Sequence, residues 1–515
     1  MTGRRRAVLV LLTACAAITV AWFASPASAT AAHTYYVSAD GNDAAKGTSK
    51  KMAWRTLDRV AMHTFAAGDR LLLEGGGVYH GSIQLDADRS AGDIEIGSYG
   101  NGRASIDAGT GPGIVIENLS GAKISDLEIH GSGQESNTAD GILITTHVDP
   151  MPEETIHYSD FVIDNVEVHG FKKFGILLHS HWGTGLRNAR VTRAVSHDNG
   201  LEGITVLADE FPGTPNEDIY IGYSVAYHNH GTRGLPGHSG SGIVLGGVKR
   251  GMIEHSEAYE NGDESDAFAS GGPVGIWAWN SDRVTIQFNK SHDIATANNA
   301  DGGGYDLDGA TTNSVIQYNV SWNNHGYGYQ LYDFFWGPHS NNTVRYNATI
   351  GDGKVTSSRR PTPGQGVLVG FGNLINESFH HNVAYVENDG ESDVKLAQID
   401  TWTGDGLAFH DNLYLAGSRI RPFDMIDSTG TNLQMFDNDY FFAEEPLSFF
   451  WNERVFTSMD DWRADTGLDA NSQFFIGPFP SRAQTIRTAL DALTRKPTLR
   501  PEMFHALHRL AKKPD

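Results

Sequence analysis

Gly275-Ile-Trp-Ala-Trp279, Gly304-Tyr-Asp-Leu-Asp308 and Gly328-Tyr-Gln-Leu-Tyr332 are copies of one pattern: a glycine, an apolar residue, and a second apolar residue two positions later. The pattern extends outward in both directions, as Gly113-Ile-Val-Ile, Gly141-Ile-Leu-Ile, Gly175-Ile-Leu-Leu, Gly203-Ile-Thr-Val and Gly242-Ile-Val-Leu before these copies and Gly366-Val-Leu-Val after them. Successive copies lie 24 to 39 residues apart. That is the period of proteins that stack one supersecondary unit on the next, because each copy is too short to bury its own apolar face.

A second marker keeps step with the first, an asparagine before a short strand at Asn289, Asn319, Asn347, Asn382 and Asn412. Stacked turns leave buried backbone groups unpaired, and one asparagine per turn can satisfy them while bonding its neighbours above and below. Strands such as Val284-Thr-Ile-Gln and Ser314-Val-Ile-Gln fall between the two markers, giving about three short strands per turn. The prediction is an all-β chain, a single-stranded right-handed parallel β-helix. Little helical periodicity runs from Gly113 to about Asp439, which disfavours sandwiches, doubly wound sheets and helical solenoids.

The chain begins Arg4-Arg-Arg, continues with an apolar run from Ala7 to about Ala24, and then reads Pro26-Ala-Ser-Ala29, the order of a secretory signal. A lipobox-like Leu12-Thr-Ala-Cys15 offers a lipid anchor through Cys15 as the alternative. Cys15 is the only cysteine, so disulfides and thiolate metal sites are excluded. A formal charge of −23 makes nucleic acid and anionic lipid poor partners. Beyond the signal no long apolar run suggests a membrane span. The expected protein is a secreted monomer.

Stacked turns need capped ends. Trp54-Arg-Thr-Leu-Asp-Arg-Val-Ala-Met can form an amphipathic helix at one end, and Thr485 to Leu493 and Pro501 to Lys512 read as helical at the other. The expected layout is therefore a signal at 1–29, an N-terminal cap with entry coils at 30–100, the β-helix at 101–450 and a C-terminal cap with short helices at 451–515. The basic residues Lys496, Arg500, Arg509, Lys512 and Lys513 read as a solvated helical face.

The opening Tyr35-Tyr-Val-Ser-Ala-Asp-Gly-Asn-Asp, with Trp54-Arg-Thr-Leu, Gly68-Asp-Arg-Leu-Leu-Leu and Gly77-Val-Tyr after it, resembles the entry segment of exported β-helix enzymes of the pectate-lyase-like superfamily. The resemblance covers nearly the whole mature chain. It implies the fold and a carbohydrate substrate, and it leaves the reaction open among lyases, glycoside hydrolases, epimerases and binding proteins.

Alternation along a strand sends the first and third residues after each glycine inward and the second and fourth outward. The outward pairs are Leu143/Thr145, Leu177/His179, Thr205/Leu207, Val244/Gly246, Trp277/Trp279, Asp306/Asp308, Gln330/Tyr332 and Leu368/Gly370. Trp277 and Trp279 are expected as exposed platforms for a sugar ring, unless the loop Thr232 to Ser241 covers them. Asp306 and Asp308 follow one coil later, with Cα atoms ~6.6 Å apart along the strand. Glycosidic cleavage commonly uses two carboxyl groups, one holding a proton and one ionised, at about 5 to 9.5 Å. Asp306 and Asp308 are thus the expected acid and nucleophile or base, in unassigned order.

Gln330, Tyr332, Asp333, Asp301 and His179 are expected to help bind substrate, and the Asp301-Gly-Gly-Gly run to let a ligand approach the backbone. His179, Glu202, Asp209 and Glu210 are candidates for a distant subsite, and Phe334, Phe335 and Trp336 for the opposite wall. No cofactor or structural metal is expected. The alternative is a calcium-dependent lyase, in which Asp306, Asp308 and Asp333 hold calcium and Lys395 is the base. None of the outward pairs holds Lys or Arg, which lowers that reading. The sequence departs from the Asn-Thr-Asp, Asp-Asp, Gly-His-Gly and Arg-Ile-Lys motifs that the polygalacturonase branch carries along its face, so the hydrolase expectation rests on two-carboxylate logic alone. A non-catalytic glycan-binding β-helix would need the aromatics but not the carboxyl pair.

Overall fold

In the computed structural model, residues 32–477 are described, apart from 267, 298–300, 335–336, 354–365, 388–393, 419 and 445–447. The chain winds through three long sheets of 15, 14 and 14 strands. One turn runs Thr285–Gln287, Lys290–His292 and Gly303–Leu307, then returns as Val315–Gln317, paired in parallel with Thr285–Gln287. The expected parallel β-helix is therefore present, and its strands begin as early as Thr34–Val37.

The two sequence markers do different work. Residues after each glycine alternate, so Ile276, Tyr305 and Tyr329 stack in the interior as partners in register, with the two tyrosine rings 5.0 Å apart. Their hydroxyls are satisfied within the tube, Tyr305 donating to Val320 O and Tyr329 to Asn319 O. The ladder asparagines are fully buried, and each side-chain amide donates to the next Oδ1 from Asn289 through Asn319, Asn347, Asn382 and Asn412 to Asn438. Each also caps a backbone N–H, as Asn319 Oδ1 does for Asn289. The residue before each of these asparagines is left-handed, with φ of 58° at Phe288, 59° at Tyr318 and 56° at Tyr346. Their rings stack on one another at 5.2 and 5.3 Å, which helps hold a backbone conformation that bulky residues otherwise avoid.

One strand departs from the expected phase. Leu368 pairs with Tyr329 and Val369 with Gln330, so Leu368 is interior while Val369 and Phe371 face outward. The glycine that leads the repeat elsewhere is offset by one here, and Gly328 N–H bonds Val367 O.

At the first turns Trp54 is buried and stacks on Tyr35 at 5.1 Å. The helix expected after it is confined to Leu57–Ala61, N-capped by Thr56 and packed through Leu57 and Val60. A second helix, Met459–Thr466, buries Met459 and Trp462. Among the described residues no helix is long and apolar enough to cross a membrane. The signal, Cys15, and the helices and basic face expected beyond residue 480 lie outside the described residues.

Candidate active site

Seven successive strands of one sheet, from Ile204–Ala208 to Lys395–Asp400, form the floor of a cleft of about 730 Å³. Register fixes its rows. Val244, Trp277, Asp306, Gln330, Val369 and Gln398 follow one another in one row, ~4.8 Å apart, and Tyr332, Phe371 and Asp400 in the next. Asp308 sits just past Leu307, its N–H bonded to Ala278 O at 2.8 Å, which puts it between Trp279 and Tyr332.

The cleft does not use all of the expected residues. Asp308 and Asp301 line it, together with Gln330, Tyr332, Trp277, Trp279, Glu202 and Phe334. Asp306 lies beneath the wall, 1% exposed, with its Oδ2 accepting from Tyr327 Oη at 2.9 Å and Gln330 Nε2 at 3.2 Å. Trp277 is 4% exposed rather than an open platform, because the loop that carries His238 lays that ring over it at 5.2 Å. Trp279 stays half-buried, flanked by Phe211 at 5.7 Å, and Tyr332 stacks on Phe371 at 4.4 Å.

Asp333 is buried, its N–H bonded to Phe371 O, and is not on the cleft wall. His179 also lies off it, with His179 and His181 contacting the two oxygens of Asp209 at 2.8 and 2.7 Å. The glycines after Asp301 serve packing: a Cβ on Gly303 would fall 2.1 Å from the Tyr327 ring. Phe335 and Trp336 lie outside the described residues. Lys395 is buried and 3.9 Å from Asp424, away from the cleft wall.

Besides Phe371, on the strand whose phase is shifted, sequence reasoning missed four contributors. Tyr327 precedes its repeat glycine, and its hydroxyl bridges Asp306 and, at 3.1 Å, Asp301. Gln398 and Asp400 occupy outward positions of a repeat that lacks its leading glycine. His238 comes from a loop, and its Nδ1 lies 2.9 Å from Gly272 O while the Gly272 N–H bonds Asp301 at 2.6 Å. No periodicity marks such a residue.

Electrostatics follow from burial. Asp306 is pushed well above the carboxylate range by desolvation, with Asp308 and Asp301 adding to it. Desolvation lifts Asp308 to about 7 against the pull of His238 and the Gly309 N–H. Glu202 also rises to about 7 through burial, opposed by the Thr205 hydroxyl and His238. Burial disfavours the charged form of His238, but Asp301, Asp308 and the Gly272 carbonyl outweigh it and raise the imidazole. Asp306, Asp308 and His238 thus titrate as a set that keeps protons near neutral pH.

No family model matches the chain. It is 22% identical over 516 aligned positions to the lacto-N-biosidase of Bifidobacterium longum subsp. longum, covering 81% of this chain and 31% of that protein. The chain therefore spans about a third of the length of this relative. Similar solved structures include the GH136 lacto-N-biosidase from Eubacterium ramulus, with a TM-score of 0.49 at 17% identity over 74% of this chain and 68% of that one. The A-module of the Azotobacter vinelandii mannuronan C-5 epimerase AlgE4 gives 0.48 at 15% over 72% and 89%, and the pectate lyase Pel9A 0.42 at 16% over 69% and 76%. These neighbours are parallel β-helix carbohydrate-active enzymes. An acidic cleft with aromatic walls can stack a sugar ring and bring carboxyl groups to its glycosidic bond.

Proposed function

We propose that the protein is a glycoside hydrolase that cleaves an oligosaccharide in this cleft, with Asp301 and Asp308 as its two carboxyl groups. The observation that carries this reading is that both line one cleft beside Trp279, Tyr332 and Phe371. One carboxyl of such a pair must deliver a proton to the leaving oxygen while the other attacks the anomeric carbon or activates water. A shared proton near pH 7 on the carboxyl set provides the acid. Asp306 takes the buried place behind the pair, positioned by Tyr327 and Gln330. Aromatic faces receive the apolar sides of sugar rings, and Glu202 and Asp400 mark the two ends of the cleft. The lacto-N-biosidase relative supports an oligosaccharide substrate and makes a lacto-N-bioside the first compound to try.

A lyase needs a base beside the uronate carbon. Among the described cleft residues none is Lys or Arg, and Lys395 faces Asp424 instead. We read the first 29 residues as an export signal, the short end helices as caps, and the mature protein as a monomer that needs no metal.

Purified protein, incubated with aryl glycosides including a lacto-N-bioside, should release the aryl group. Asp301→Asn and Asp308→Asn should each cut kcat by about 10²–10⁴, with Tm within a few degrees of wild type. External azide should rescue a truncated variant of one of the two, which assigns the roles. Unsaturated products, or loss of turnover on chelation, would replace hydrolysis by lyase chemistry. Glycan binding with no product from any substrate would make the cleft a binding site only.

A further inference from the structure

Behind the cleft lies a charged pair that the proposed chemistry does not use. His339 and Glu377 are both completely buried, with Nδ1 of the histidine 3.1 Å from Glu377 Oε1. The other ring nitrogen, Nε2, lies 3.0 Å from the carbonyl oxygen of Leu307. Asn342 donates its backbone N–H to Glu377 Oε2 and its side-chain amide to Oε1, both at 3.1 Å. Burial pushes Glu377 above the usual carboxylate range, and His339 and the Asn342 donors oppose that push in favour of the ionised form. Both nitrogens of His339 face acceptors, and Nδ1 also lies 3.3 Å from the Asn342 side-chain amide nitrogen. Glu377 and the Leu307 carbonyl raise the imidazole against its burial, which favours an imidazolium facing a carboxylate.

Its location gives the charge a use. Leu307 immediately precedes Asp308, whose carboxyl accepts the Gly309 N–H at 2.7 Å at the start of the following turn. The far side of that turn is fixed by the same cluster, with Asn342 donating to Thr311 O at 2.8 Å and accepting from the Ser314 N–H at 2.8 Å. The turn bearing Asp308 is thus pinned before and after by His339 and Asn342, both anchored on Glu377. A fully buried ion pair adds little stability over apolar residues of the same size. Stability alone does not account for placing one here.

We propose that His339, held as an imidazolium by Glu377, is a positioning residue for Asp308: it clamps the turn that carries the carboxyl and supplies a buried positive charge behind it. The proposal rests on the reading of Asp308 as one of the two reacting carboxyls. The charged groups around His339 are Glu377, Asp333 and Asp308, and those around Asp308 are His238, Asp301 and Asp306. A cation behind Asp308 favours its ionised form, so removing the cation should move its titration upward.

The test is the pH profile of turnover in His339→Gln, Glu377→Gln and the apolar double variant with leucine at both positions. The limb set by Asp308 should rise by about one pH unit in His339→Gln, and kcat should fall about tenfold or more with KM nearly unchanged. The double leucine variant should recover the wild-type Tm yet keep the displaced limb, which separates positioning from mere packing. An unmoved limb with unchanged kcat in a folded variant overturns the proposal. If the wild type hydrolyses nothing, the hydrolase reading fails on its own, and nitrogen NMR of labelled histidine still reads the pair. His339 should show two protonated nitrogens at neutral pH, above the ordinary histidine range, in wild type and lose one in Glu377→Gln, whereas a singly protonated ring at neutral pH overturns the inference.

Discussion

Asp306 and Asp308 share a strand and a face, yet burial separates their roles. The first is enclosed by Tyr327 and Gln330, while the second lines the cleft with Asp301. Because Asp306 is raised from 3.8, the folded protein holds a proton there that the unfolded chain has already lost. Stability from this group is therefore given up as pH climbs from about 4 toward its higher folded value. Asp306→Asn should raise Tm by roughly 2–4 °C at pH 7, and by less at pH 4; calorimetry at the two pH values checks it, and an equal change at both would contradict the assigned burial. The Asp308 value of about 7 carries a different prediction. Catalysis that needs a proton on the carboxyl set should decline as pH rises through about 7, in the kcat profile, and a plateau extending well above that would remove the acid from this set.

At the level of the element, the tube is held by repetition. Asn319 donates to Ile286 O and to Asn347 Oδ1 while accepting from Asn289, so its loss strands several buried groups at once. Asn319→Ala should destabilise by about 3 kcal/mol, read from thermal or denaturant unfolding; a change below about 0.5 kcal/mol would mean the ladder is decorative. Trp279→Ala, on the cleft wall, should raise KM about tenfold with kcat little changed, because the proposed binding mode sets its ring against the sugar and away from the reacting atoms. The strand phase was legible at 275–279, 304–308 and 328–332, where glycine, a large apolar residue and alternation agree. It failed at 366–371, where the glycine falls one place early and only pairing with Tyr329 restores the register. Gln398 and Asp400 escaped because the marker glycine is missing beside them, and Tyr327 because it precedes its glycine and so lies outside the alternating stretch.

For the molecule as a whole, the repeat period carried the architecture, because each turn repeats the same burial problem and the same residues solve it. What a repeat cannot encode is the loops that leave it. His238 reaches the cleft from such a loop and covers Trp277, turning an expected platform into a wall. Glu377 and His339 meet from different turns, 38 residues apart. The site is thus a set of exceptions gathered on one face of a regular tube, as expected where function overrides local pattern. The most direct measurement is a crystal structure of Asp308→Asn with an uncleaved oligosaccharide. The account places the scissile glycosidic oxygen between residues 301 and 308, with sugar rings against Trp279 and Tyr332. Sugar bound on another face, or in this cleft with that oxygen beyond reach of both positions, would contradict it.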